Sequence, residues 1–550
     1  ADALGSYTLS DDDAQAVATI CRRLDGVPLA TELAAARLRM LKPAEIAARL
    51  ENVFKLLTGG SRSALPRQQT LRATIDWSYS LLSPAEQLVL QRLSVFADGC
   101  STEGATAVAG ADGIDPDEVF DIVGSLVGKS LMVADSGGTA TRYRMLETTR
   151  QYAAEKLAGD PACYRRMAEY MLTVFRTADA VWPTRGTDDW LAAYRPEREN
   201  FRHAIDWAFH GGDPALGVSL VAHAGAAAEE MSLQPDLLRW TRAAMVHVTE
   251  TTPPGDVARV LYLDTVQQKR LGQSDVPPER RRTIALFRDI GDPVGLSRAL
   301  RQTAIAWATP GEPNPDILAM LDEAASLLRG RAPHKDLATA LAHTGTVRLF
   351  FTGDLKAARD LNEQALAMRE AVGDRSGVLA SGVNLAELLF MEGNAAAALA
   401  YATQAEAEAR HRNAQGTLAL ILCNLAGYRL YHDDVGGGMK AALEALVLSR
   451  ALAQDYLGVQ CLEHLALAHA LSGDFSRAAR VLGYTQRFYD SQGTTRECLE
   501  EAGYRRLTAL VERSVPVAEL ASLYGEGAAW TIEQAFAAAQ TAPRRAGVLA

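Results

Sequence analysis

Several things are missing from this 550-residue chain, and each absence closes off a class of function. Its six cysteines, Cys21, Cys100, Cys163, Cys423, Cys461 and Cys498, stand far apart with no CxxC pair, which argues against a zinc framework or a dense disulfide scaffold. They read as small core residues in a reducing compartment. No apolar run reaches the ~18 residues that a membrane-spanning helix needs. The opening ADALGSYTLSDDD carries neither the basic nor the apolar region of a signal peptide, so we expect a cytoplasmic protein. Beginning without Met, the chain reads as a piece of something longer.

Basic clustering is also lacking. The formal net charge is -11, the pI is near 5.5, and Lys and Arg are spread along the chain, which disfavours a dominant nucleic-acid surface.

Catalytic signatures are absent too. A phosphate-binding loop needs the pattern GxxxxGK[ST] after a strand and before a helix. The nearest segment, Gly124 to Ser130, is one residue short, and it follows a helix and precedes a strand. There is no GxSxG elbow and no HExxH. His464 and His469 are five apart and point to different sides of a helix, so they do not converge as metal ligands. Asp188-Asp189 and Glu229-Glu230 read as solvated pairs. We therefore nominate no catalytic or metal-binding residue and do not expect an enzyme.

What is present is helix after helix. Ser10 and the three aspartates that follow open a periodic stretch with Val17, Ile20, Cys21 and Leu24 on one face. LDGVPLA ends it and starts a second helix at Pro28, and a third runs from Pro43 to about Leu57. After the polar break Thr58 to Gln69, Ser83-Pro84-Ala85-Glu86 forms a capping box. Helices near Glu103 to Val108 and Pro116 to Gly128 precede two short strands, LMVAD and TRYRM, around the turn SGGT. Helices followed by one hairpin describe a winged helix. Such a fold can read DNA, but PDEVFDIVGSLVGKS has three acidic residues and one Lys, so intramolecular packing is the better reading.

The blocks LDGVPLATELAAARLRML, VFKLLTGGSRSALPRQQTLRATIDWSYSLLS, LVGKSLMV and YRMLETTRQYAAEKL resemble bacterial STAND regulators, the NB-ARC-like signal-transduction ATPases of actinobacterial transcription factors, over residues 10 to 160. The resemblance implies that Pro28 packs on the adenine of bound ATP or ADP. It also implies that the nucleotide-binding domain itself lies outside this chain, so that no cofactor is expected here and ATP or ADP belongs to the full-length protein. Where the family often has the His of an MHD motif, this chain has Met145-Leu146-Glu147. WLAAYRPERENFRHAIDWAFHGGD (Trp190 to Asp213) again resembles the segment that follows the winged helix in those regulators.

The second half repeats. Gly353-Asp354, Gly393-Asn394, Asp433-Asp434 and Gly473-Asp474 lie 40 residues apart, each after a helix and before an Ala-rich one. A second series of turns, near Gly373-Asp374, Asn413, Asp455 and Gly493, makes each unit two antiparallel helices. Small residues such as Gly345, Ala357, Ala358 and Ala365 suit the close crossings of tetratricopeptide (TPR) units, though these units are longer than the standard ~34 residues. Weaker turns at Gly211 to Asp213, Gly291-Asp292 and Gly311 to Asn314 extend the pattern backwards.

The expected fold is mainly α. A helical subdomain (1–66) and a winged helix (67–160) precede divergent helical repeats (161–335), TPR-like repeats (336–515) and capping helices with a tail (516–550), in which Trp530 and Phe536 dock and the end frays. Stacked helix pairs usually bind a partner on the face lined by the first helix of each pair. Arg348, Asn384, Glu387, Asn424, Tyr428, His464 and His469 are the candidate lining residues for a protein, peptide or small-molecule effector. The function expected is the sensory and autoregulatory segment of a STAND-type regulator; the alternative is a free-standing scaffold whose repeats bind a partner protein. No direct contact with nucleic acid or membrane is expected.

Overall fold

A computed structural model describes residues 11–23, part of 31–49, 71–270 except 139, and 277–540 except 309–311, 332, 412–414, 453 and 493–495. Pro28, the break from Thr58 to Gln69 and the closing ten residues lie outside the described residues. The chain divides into two compact units, Ala1–Asp292 and Pro293–Ala550, a boundary that falls within the 161–335 segment.

The first unit opens with α1 (Asp11–Arg23), α2 (Pro43–Arg49) and α3 (Leu71–Ser80). α4 (Pro84–Leu93) starts on the capping box anticipated from sequence. The Glu86 amide donates to the Ser83 hydroxyl and the Ser83 amide donates to the Glu86 carboxylate, so two backbone donors at the helix start are satisfied reciprocally. β1 (Cys100–Ser101), α5 (Thr102–Ala109), α6 (Val119–Gly128), β2 (Val133–Asp135), β3 (Arg142–Arg144) and α7 (Glu147–Leu157) complete a winged helix. Its sheet has the order β1-β3-β2, with Tyr143 paired to Cys100 on one side and Ala134 on the other. The hairpin was legible in the sequence; β1, two residues long, is too short to leave a periodic signature.

Helices α8 (Pro161–Val181), α9 (Thr187–Tyr194), α10 (Arg198–His210), α11 (Pro214–Ala222), α12 (Gly225–Glu230), α13 (Gln234–His247), α14 (Pro254–Arg270) and α15 (Pro277–Asp289) follow. No seam separates them from the winged helix, because one apolar core runs from Leu82 through Trp190 and Phe201 to Leu263.

In the second unit, α16 (Pro293–Trp307) and α17 (Pro315–Ser326) lead into four helix pairs. The pairs are α18 (Lys335–Thr352) with α19 (Leu355–Val372), α20 (Arg375–Met391) with α21 (Ala395–His411), α22 (Gln415–Tyr431) with α23 (Val435–Ala451), and α24 (Asp455–Leu471) with α25 (Phe475–Gln492). First helices begin at 335, 375, 415 and 455 and second helices at 355, 395, 435 and 475, so the 40-residue register read from the turns is kept by the helices.

The turns share one geometry. Gly353, Gly393, Asp433 and Gly473 all have positive φ, and the next residue caps the second helix. The side chains of Asp354, Asn394, Asp434 and Asp474 accept from the amides of Ala357, Ala397, Gly437 and Arg477. Ala358 and Ala365 are fully buried at the crossing of α18 and α19.

After α25 the register is broken in space though not in sequence. α26 (Cys498–Ser514) does not pair with α27 (Val517–Ala528); α27 packs along α25 instead, and α26 lies across α20, α22 and α24. The contact between α25 and α27 is backbone on backbone. A methyl group at Gly527 would sit 1.7 Å from the Arg480 carbonyl oxygen, and one at Gly483 would sit 2.3 Å from that of Tyr524. α28 (Ile532–Gln540) covers part of α24 and α25, with Phe536 buried and Trp530 packed against the same core. Enclosed by its neighbours, α24 buries every residue from Leu457 to Ala470.

Candidate functional site

The face lined by the first helices was expected to stand open. It is covered from α20 to α24 by α26, a helix of the same chain. The apolar stripe of α26 explains why: Leu499, Leu507 and Val511 need a surface to bury them. Leu499 finds it among Ala386, Phe390, Leu425 and Tyr428, while Leu507 and Val511 join the main core of the repeats.

Polar anchors hold this stripe. Arg496, just before α26, donates from Nε to both Glu463 carboxylate oxygens at 3.0 Å and from Nη2 to Oε1 at 2.5 Å. Its guanidinium lies 4.2 Å from the ring centre of Tyr489 and 3.8 Å from that of Tyr504. Thr485 donates a further hydrogen bond to Glu463 at 2.9 Å. Halfway along α26, Arg506 donates to the Leu430 carbonyl at 2.8 Å and pairs with Asp433.

Between these anchors the match is poor. Glu387 on α20 faces Glu497, just before α26, and Glu500 in its first turn; burial first, and then those two carboxylates, push it up to about 7 from an ordinary value of 4.5. Glu500 is likewise pushed up to about 7, by burial and by Glu497. The hydroxyl of Tyr428, Oε2 of Glu500 and Nε2 of His464 are buried without a hydrogen-bond partner.

The seven residues nominated from sequence are thus divided. Glu387, Tyr428 and His464 converge under the first turn of α26; a methyl group at Gly427 would meet Leu499 at 2.8 Å and His464 at 2.9 Å. Asn424 is half-buried on α22 and Arg348 is exposed on α18. Asn384 turns towards α19, donating to Asn362 at 3.4 Å. His469 is fully buried and makes a 3.0 Å hydrogen bond from Nε2 to the Ala539 carbonyl of α28, so it is a core residue and lines no open face. An open cleft of about 700 Å³ lies elsewhere, between α19, α20 and α21, lined by Leu366, Val378, Tyr401 and Glu408 among others and by none of the seven.

Sequence reading missed Arg496, Leu499 and Glu500. Their segment follows the Gly493 turn in phase with the repeats, so it reads as one more first helix in the stack.

The winged helix presents little that suits DNA. Val119, Val123 and Leu126 of α6 are buried, leaving Phe120 and Asp121 outward beside Asp115, Asp117 and Glu118. The one cation at the helix end, Lys129, is bound to Glu86 at 2.5 Å. Burial alone would raise the Glu86 carboxyl, but Lys129, Ser125 and Ser83 outweigh it and hold it at about 2.

The sheet is locked to the helices after it by Asn200. Asn200 accepts from the amides of Ala97 and Asp98 and donates to the Gly99 carbonyl and to Glu197. Glu197 in turn pairs with Arg142 of β3. Leu146, where the resemblance noted from sequence would place a His, has no polar side-chain atom, and the neighbouring Glu147 is paired with Arg150 at 2.8 Å.

Of the six cysteines, Cys100, Cys163, Cys423 and Cys461 are buried as expected, whereas Cys21 and Cys498 are exposed. Among the described residues no helix is long and apolar enough to cross a membrane.

Residues 82–158 match the family described as a winged helix-turn-helix domain. Over 455 residues the chain is 33% identical to a protein named "Putative HTH-type transcriptional regulator" in Mycobacterium tuberculosis, and equally to its counterpart in Mycobacterium bovis; the match covers 80% of this chain and 51% of the relative. The chain is a homologue of these regulators. It spans about half the length of the curated relatives it matches. An uncharacterized protein of Mycobacterium tuberculosis is 42% identical over 167 residues, covering 30% of this chain and 42% of that one. Among solved structures, a Signal Transduction ATPase with Numerous Domains (STAND) protein with a tetratricopeptide repeat sensor from Pyrococcus horikoshii gives a TM-score of 0.49 at 14% identity, covering 92% of this chain and 72% of that one. Rap protein complexed with competence and sporulation factor gives a TM-score of 0.37 at 12% identity, covering 66% of this chain and 99% of that one. The kinship with transcriptional regulators inferred from the ordered sequence blocks is borne out. This regulator homologue is a winged-helix and helical-repeat chain.

Proposed function

We propose that this chain is the sensory and autoregulatory segment of a STAND-type transcriptional regulator. The TPR-like unit binds an effector or partner protein. The helical subdomain and winged helix couple that event to a nucleotide-binding domain outside this chain, where ATP or ADP would be held and where Pro28 would reach the adenine.

The observation that carries this reading is the state of the winged helix. Its outward helix is preceded and opened by exposed acidic residues, the cation at the end of that helix is bound to Glu86, and Asn200 and Glu197 fasten its sheet to the helices that follow. Such a module suits the transmission of force within a protein better than the reading of a duplex. Similarity to HTH-type regulators over 455 residues supports the assignment to a transcriptional regulator.

The test is made on the longer protein that includes the nucleotide-binding domain. Effector affinity is measured with ATP and with ADP bound; coupling predicts a difference of about 5- to 150-fold. Equal affinities in the two states would leave only a scaffold. Pro28→Ala should weaken ADP binding without altering the fold.

A further inference from the structure

We propose that α26 is a removable occupant of the repeat face, and that the partner which replaces it is an amphipathic helix bearing Lys or Arg in place of Glu497 and Glu500. The inference rests on the reading that the repeats bind an effector, and it names the chemistry of that effector.

Three observations carry it. First, the face already accommodates a helix: Leu499 fills a pocket made by Ala386, Phe390, Leu425 and Tyr428, so any helix with one large apolar residue in that place has a seat. Second, the present occupant is mismatched at its first turn. Glu387 meets two further carboxylates, and the Tyr428 hydroxyl and Glu500 Oε2 are buried without partners. A half-satisfied polar interface in low dielectric costs more than a fully paired or a fully apolar one. Third, the mismatch has a sign. With α26 gone, Glu387 and the Tyr428 oxygen can each accept from an incoming donor, so an ammonium or guanidinium in the place of Glu500 would pair with Glu387 and donate to the Tyr428 oxygen.

Polar contacts that keep α26 in place are Arg496 on Glu463, just before the helix, and Arg506 on Leu430 and Asp433, halfway along it. Firm anchors flanking a repulsive first turn give a partner something to gain by displacing it.

The experiment uses the full chain and two synthetic peptides spanning residues 496–514, one with the native sequence and one carrying Glu497→Lys and Glu500→Lys. Binding is read by fluorescence anisotropy, and displacement by hydrogen exchange of the chain's own α26. The lysine peptide should bind the Arg496→Ala chain at least tenfold more tightly than the native peptide does, should raise exchange across residues 498–514, and should lose its advantage when Glu387→Gln is added. Should circular dichroism show that Arg496→Ala does not fold, Arg506→Ala, whose side chain is partly exposed, loosens the other anchor and is used in its place. Equal affinity of the two peptides, no binding of the lysine peptide to either loosened chain, or binding that leaves α26 protected would each overturn the proposal. The outcomes separate it from the function proposed above. Displacement without any effect on nucleotide affinity in the longer protein would refute the regulator reading alone, and effector-dependent coupling with α26 protected throughout would refute this inference alone.

Discussion

Arg496 and Glu463 form a bidentate ion pair whose side chains are only 9% and 4% exposed, and two tyrosine rings close over the guanidinium. This pair fixes where α26 begins. Because both charges are buried, each is worth most as protection for the other.

Removing one partner should therefore be far more harmful than removing both. Glu463→Leu or Arg496→Met alone is expected to lower stability by about 3–5 kcal/mol, while the double change restores much of the loss. Chemical denaturation monitored at the second unit measures the cycle. Additive losses would show that the two residues do not act as a pair.

The seating of α26 should depend on pH with a definite sign. Glu387 and Glu500 are held at about 7 in the docked state, against 4.5 ordinarily, so the docked form binds more protons. Its stability is fully present below about 4.5 and is lost as pH rises to about 7. Protection factors of α26 amides, corrected for intrinsic exchange, should fall between pH 5 and pH 7.5 by an amount on the order of 1–2 kcal/mol shared by the two groups. Glu387→Gln should make the profile shallower and leave the part due to Glu500; a profile that rises with pH would contradict the assignment.

Asn200 carries the join between the winged helix and the helices after it. Asn200→Leu leaves the Ala97 and Asp98 amides and the Gly99 carbonyl without their partner, which should cost about 2–4 kcal/mol. Thermal unfolding followed by the fluorescence of buried Trp190 and Trp240 would report the loss in the first unit.

Duplex DNA gives a further check. With Asp115, Asp117, Glu118 and Asp121 along the outward face of the winged helix, affinity should be negligible and its salt dependence near zero between 50 and 200 mM, where a protein making several phosphate contacts loses about a thousandfold or more. A steep salt slope, measured by anisotropy with the isolated chain, would reopen a DNA-reading role.

In the second unit, Asp336 is fully buried between Arg298 and Arg301, tying α18 to α16. Burial would raise its carboxyl, but the two arginines outweigh it and hold it at about 2. Its contribution is present above about 4 and is lost as pH falls towards 2. Asp336→Asn should cost about 3 kcal/mol at neutral pH and little below pH 2, as judged by urea midpoints at the two pH values.

Much of this was legible in the sequence because it is local. Ser83 and Glu86 sit three apart and cap a helix wherever it goes. The aspartates and asparagine at 354, 394, 434 and 474 follow a left-handed residue and cap the next helix, so the 40-residue register could be counted before any packing was known. Local hydrogen bonds and helical periodicity need only neighbours in the chain.

What the sequence could not decide is which surface each helix would meet. The segment after Gly493 has the spacing and composition of one more repeat, and periodicity assigns it to the stack. Only the tertiary structure shows α27 pressed against α25 through Gly483 and Gly527, leaving α26 to cover α20, α22 and α24. The same holds for His464 and His469, which look alike as helical histidines and end up under different helices. The reason is physical: an apolar stripe states that a helix must be buried, but the choice among surfaces able to bury it depends on close approach and charge between residues far apart in the chain.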